Sequence, residues 1–182
     1  MRFRVSGLLL GMTMLCGPYA AIGDDAGDRI AEALLALPAP LQAGAGVVRF
    51  EKGEQIVLKA STNGILCRAD DPDKAGIDVW CYHESHDDYA RRWFELAASG
   101  MTGDKVNEQI VAEIEDKSLA WPDLAVNYNL RGPSLDTAML LTVIYMPYAT
   151  GDAIGITEER QFDRPWLMYP GTAFAHVMIP GQ

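Results

Sequence analysis

The stretch "EQIVLKASTNGILCRA", Glu54 to Ala69, decides how the fold is read. Two β-rich runs flank Asn63-Gly64, and a two-residue type I′ turn needs positive φ at both central positions, which Asn-Gly adopts at low cost. A hairpin closed there sets Thr62 opposite Ile65, Ala60 opposite Cys67 and Leu58 opposite Ala69. One face then carries Ile56, Leu58, Ala60, Ile65, Cys67 and Ala69, all apolar or small. The other mixes Lys59, Ser61 and Arg68 with Val57 and Leu66. The pattern predicts an antiparallel pair with one face in the core and the other partly covered.

Working outward, "GVVRFE" precedes this pair and "IDVWCYH" follows it, which predicts a four-strand antiparallel meander. Upstream, Ile30, Leu34 and Leu37 recur at helical spacing behind an acidic first turn, and Pro38 and Pro40 end the pattern. Downstream, Ser85 begins a helix with Asp88 three residues on, Tyr89, Trp93 and Leu96 as its stripe, and Gly100 as its stop. A second helix spans about Asp104 to Lys117 with Val106, Ile110 and Ile114 on one side. Strand character returns in "AVNYNL", in the nearly all-apolar "AMLLTVIYM", read as a central strand, and in "AFAHVMI". The order predicts a single α+β domain over 24–182, with helices packed on one antiparallel sheet. In element order alone, with no shared motif, it resembles the layout of profilin-like and PAS-type sensor domains, and layout does not confer function.

Residues 1–23 read as an export signal. Arg2 and Arg4 start it, "GLLLGMTMLC" is its apolar centre, and small residues precede Asp24. That apolar run is about half the ~20 residues a membrane span needs. Leu15 stands before Cys16 where a lipidation signal wants a small residue. The expected destination is periplasmic or extracellular, with no membrane span. Lys and Arg total 15 against 25 Asp and Glu, and loss of the two leader arginines takes the net charge from −10 to about −12. Such a chain repels nucleic acid, and its scattered acids form a solvated surface.

The stretch "WCYHESH", Trp80 to His86, carries a cysteine, two of the 3 histidines and a glutamate. Extending the meander sets Cys67 opposite Cys81, and two cysteines of an exported chain at a hairpin register predict a structural disulfide. With no C-x-x-C, a thioredoxin-like redox role lacks its spacing. In the same register His83 shares the inner face, Glu84 points away, and His86 begins the following helix as a solvated residue. "HESH" lacks the i, i+4 histidines of a zinc-protease helix. His176 alternates with Phe174 and Met178 on the last strand; were it to meet His83, the two with a carboxylate such as Glu84 would suffice for a catalytic zinc. No G-x-S-x-G elbow occurs. "GAGVVR" lacks the third glycine of a dinucleotide fingerprint, and "DDPDKAGID" departs from a calcium loop at its fifth and twelfth positions.

Pro147 to Thr172 lacks periodicity and is rich in aromatic rings, as expected of a binding loop or of an Ω-loop that seals the core. Tyr145, Tyr148, Trp166 and Tyr169 are its candidate ligand-binding residues. Three functions remain in view. The first is an exported domain binding a small molecule or a protein partner, with no cofactor. The second is a metal-dependent hydrolase whose candidate catalytic residues are His83, Glu84 and His176, with His83 and His176 on zinc. The third is an envelope-associated structural protein.

Overall fold

The computed structural model of the chain describes residues 22–181. The leader reading, apart from its last two residues, lies outside that range. Among the described residues an eight-stranded mixed sheet carries helices on both faces, so the α+β class holds while the single covered face does not. Helices α1 (Ile22–Leu34) and α2 (Ala39–Gln42) lead into β1 (Gly46–Glu51), β2 (Glu54–Lys59), β3 (Ile65–Arg68) and β4 (Ile77–His83). A 3-10 turn at Glu84–His86 opens α3 (Asp87–Ala98), and α4 (Gly103–Glu115) follows. The chain then makes β5 (Ala125–Gly132), β6 (Met139–Tyr145), α5 (Gly151–Ile154), β7 (Trp166–Met168) and β8 (His176–Pro180). Across the sheet the order is β2-β1-β3-β4-β5-β6-β8-β7.

The predicted meander is corrected at its first turn. β2 and β3 are not neighbours; β1 lies between them, antiparallel to β2 and parallel to β3. Asn63 is not among the residues of positive φ, so Asn63-Gly64 is no type I′ turn. The Asn63 side chain instead accepts from Ile65 N at 3.1 Å and donates across the fold to Leu41 O at 2.9 Å. The pair with positive φ at both positions is Lys52-Gly53, at 50° and 87°, and it closes the β1–β2 hairpin. From β2 the chain passes beneath the start of β1, where Thr62 N donates to Gly44 O at 2.7 Å. Only glycine fits at position 46, because a Cβ there would stand 2.8 Å from Ser61 N.

From β3 onward the antiparallel expectation holds. Cys67 pairs with Cys81 and Ile65 with His83, and the two cysteines are joined in a disulfide. β6 is interior, between β5 and β8. The disulfide face packs against α1 and the turn after it: Ala33, Ala36 and Leu37 meet Val47, Val79 and Leu130 around the two sulfurs. The opposite face, carrying Trp80, Val143 and Tyr145, packs against Leu96, Val106 and Ile110 of α3 and α4. Arg68 is on that second face and is buried at 7% exposure, because α3 covers what its sequence pattern marked as half-solvated.

The bridge closes a loop of sequence separation 14, which limits the unfolded chain by about 3 kcal/mol. Urea unfolding with and without reductant checks this: the midpoint falls on reduction, and the Cys67→Ala, Cys81→Ala double variant reproduces at least that loss.

Candidate functional site

The histidines of the quoted stretch exchange their expected roles. His83 is exposed, and its Nδ1 accepts from Ser85 N at 3.2 Å to start the 3-10 turn. Its register is the predicted one, but the core beneath α1 reaches only a partly buried Ile65. Glu84 is exposed beside it. His86, expected in solvent, is 1% exposed. It stacks on Trp121 at 4.7 Å and meets the edge of Tyr145 at 5.0 Å. Strand alternation ends at His83, and the tight turn after it carries residue 86 to the α3 side, which alternation does not foresee.

His83 and His176 do not meet. Tyr82 shares its face with Asn127, Val143 and Met178, and Tyr145 and His176 continue that face, so His83, next to Tyr82, leaves on the other. The zinc constellation of His83, Glu84 and His176 is not assembled, because the sheet stands between His83 and His176. Among the described residues no three His, Cys, Asp or Glu side chains converge as a metal-binding group.

On the α3 side a groove of about 330 Å³ crosses the sheet. Its floor includes Asn129, Val143 and Met178; Tyr89 and Trp93 of α3 and Asn107 of α4 form one wall, and Met168 and Tyr169 form the other. The floor runs from the level of Arg131 to that of Tyr145, which pairs with Ala125. Six residues of β5 make this roughly 20 Å at about 3.4 Å per residue. A depression of about 280 Å³ on the disulfide side touches Ile65, His83 and Leu124, and the buried hydroxyl in its lining, that of Tyr82, is already donated to Asp87 at 3.1 Å.

Of the four aromatic candidates, Tyr145 and Tyr169 line the groove, and Tyr148 and Trp166 do not. Tyr148 is 61% exposed in the turn after β6. Trp166 is 2% exposed in β7, opposite Met178, and serves to seal the core. The segment from Pro147 to Thr172 thus contains α5 and β7 and contributes one residue pair, Met168 and Tyr169, to the groove. Sequence reading missed Trp80, Arg68 and Arg131 as lining residues. Their signal was the alternation of Trp80 and Tyr82 against the cysteines, which becomes visible once a second covered face is allowed.

His176 faces the groove between Tyr145, at 4.9 Å, and Tyr169, at 5.5 Å. Its Nδ1 donates to Phe174 O at 2.8 Å; a carbonyl only accepts, so the proton is on Nδ1 and Nε2 is an acceptor. Among the described residues Nε2 has no hydrogen-bond partner. Asn129 Oδ1 is likewise unpartnered. On the same face Asn127, its amide oriented so that both ends are satisfied, accepts from Trp80 Nε1 at 2.9 Å and donates to Val126 O at 3.0 Å. Burial pushes the Tyr89 and Tyr145 hydroxyls above their ordinary range, so both stay protonated.

Burial also lowers His86 and His176, each to about 4 from 6.5. Between those values the unfolded chain binds protons that the folded one refuses, so stability is full above pH 6.5 and falls as pH drops toward 4. The loss is on the order of 3 kcal/mol for each ring at 1.36 kcal/mol per unit. Glu113, held below its ordinary 4.5 by its hydrogen bond to Arg92, begins to lose its contribution only at the acid end of this window. Urea denaturation from pH 7 to 4 shows the decline, and His86→Phe, which keeps a stacked ring, removes roughly half of it. An undiminished slope in that variant is the contrary result.

The chain matches no family model, no curated protein and no solved structure.

Proposed function

We propose that this is an exported, non-catalytic domain that binds a small organic molecule in the groove between the sheet and α3. The observation that carries the reading is His176. A neutral, 6% exposed imidazole presents an unpartnered acceptor at the end of the groove where Tyr89, Tyr145, Tyr169 and Phe174 stand, away from the charged side chains of the other end. Binding sites combine an apolar lining with a few placed polar groups in this way, and the volume lies at the small end of their range. The disulfide supports an oxidising destination, and no helix among the described residues is long and apolar enough to cross a membrane.

Tyr169 supports the same reading. It is 42% exposed at the groove's rim and holds φ 53°, a conformation that costs a non-glycine residue of order 1 kcal/mol. Backbone strain of this kind collects at ligand clamps. Phenylnaphthylamine, a neutral dye whose emission rises in apolar surroundings, tests the groove. It binds saturably, one molecule per chain, and Tyr169→Gly weakens it about tenfold, a loss of about 1.4 kcal/mol. The same variant relieves the positive φ, so its melting temperature stays within a few degrees of the parent. Absence of saturable binding, or equal binding by Tyr169→Gly, overturns the proposal.

A further inference from the structure

The two ends of the groove differ in charge. At the end formed by β4 and β5, Arg131 Nε donates to Asp78 Oδ1 at 2.9 Å, and Nη2 reaches the same oxygen at 2.9 Å. Arg68 Nη2 approaches that oxygen at 3.1 Å and also donates to the Asp78 carbonyl. Its Nη1 points to Ala69 O at 3.5 Å, and its guanidinium lies 5.6 Å over Phe94. Asp70 stands behind the cluster and accepts from Asp78 N at 2.9 Å. Lys74, also in the lining, pairs with Asp71 at 3.2 Å.

Arg68 and Arg131 share the carboxylate of Asp78, the one acid in the groove's lining, while Lys74 is paired with Asp71 outside it. Arg68 is spent on carbonyls and on Asp78. Arg131 is not: its side chain is 64% exposed. A guanidinium has five N–H donors, and only those on Nε and Nη2 turn to Asp78. The chain as a whole has net charge −10, so the exposed guanidinium at this end is a local arrangement and not a general basicity. At the other end His176 is uncharged at neutral pH, and the floor between is Asn129, Val143 and Met178.

Resting on the binding reading above, we infer that the groove's ligand is an anionic amphiphile, with a flat apolar body over Trp80, Val143 and Met178 and a carboxylate or sulfonate held by Arg131. A cation at that end meets two guanidiniums. A wholly apolar molecule has no group for the free donors of Arg131.

Two dyes with the same ring system test this: anilinonaphthalene sulfonate carries one negative charge, and phenylnaphthylamine carries none. At low salt the sulfonate binds at least about tenfold more tightly, and raising the salt removes that preference. Arg131→Gln lowers the ratio of the two affinities about tenfold, and Arg131→Lys restores part of it. Arg164→Gln, which removes an exposed partner of Asp163 outside the groove, leaves the ratio unchanged. Equal affinities in the parent, a ratio indifferent to salt, or a ratio untouched by Arg131→Gln overturns the inference and leaves the binding function standing. If neither dye binds, the binding function fails and the inference falls with it. Should Arg131→Gln fail to fold, the salt dependence of the parent ratio decides.

Discussion

The pairing of β3 with β4, held by the Cys67–Cys81 bond, sets which side of the sheet every later side chain takes. Alternation carries the choice from strand to strand. With the sulfurs directed to α1, Arg68, Trp80 and Tyr82 must point the other way, and through β5, β6 and β8 so must Asn127, Val143, Tyr145 and His176. A slip of one residue would exchange the two sets, sending an arginine and two aromatic rings beneath α1 and opening the groove's floor to apolar methyls. The bond thus fixes the chemistry of a site whose atoms it never touches.

The parts legible in the sequence were those set by local pairing and periodicity. The disulfide register, the helices with their Tyr89, Trp93 and Val106, Ile110 stripes, and the interior position of β6 all follow from alternation or helical spacing. The Asn63-Gly64 turn misled because a dipeptide suited to a hairpin is equally suited to a crossover, and the side chain of Asn63 found its partner in Leu41, far away in sequence. Parallel pairing of β1 with β3 leaves no local signature at all.

The site was harder to read for a related reason. His86 lies past the last residue that obeys alternation, and a single 3-10 turn moved it from predicted solvent to the centre of an aromatic cluster. Arg68 stands in a mixed run that marks a partly covered face, and nothing local in that run signals that α3 lies over it. Trp166 carried a binding expectation from its place in a long aromatic segment, yet it pairs in β7 and is enclosed. Composition of a segment marks it as unusual, and only its contacts say whether the rings face a cavity or the core.

The disulfide also bears on the order in which the chain assembles. Its cysteines are 14 residues apart, whereas β4 meets β5 only after both α3 and α4 have been threaded between them. Loop-closure entropy favours the shorter contact. In an oxidising compartment the β3–β4 pair can therefore be cross-linked while the second half of the sheet is still unformed, giving the late strands a template whose two sides are already distinguished.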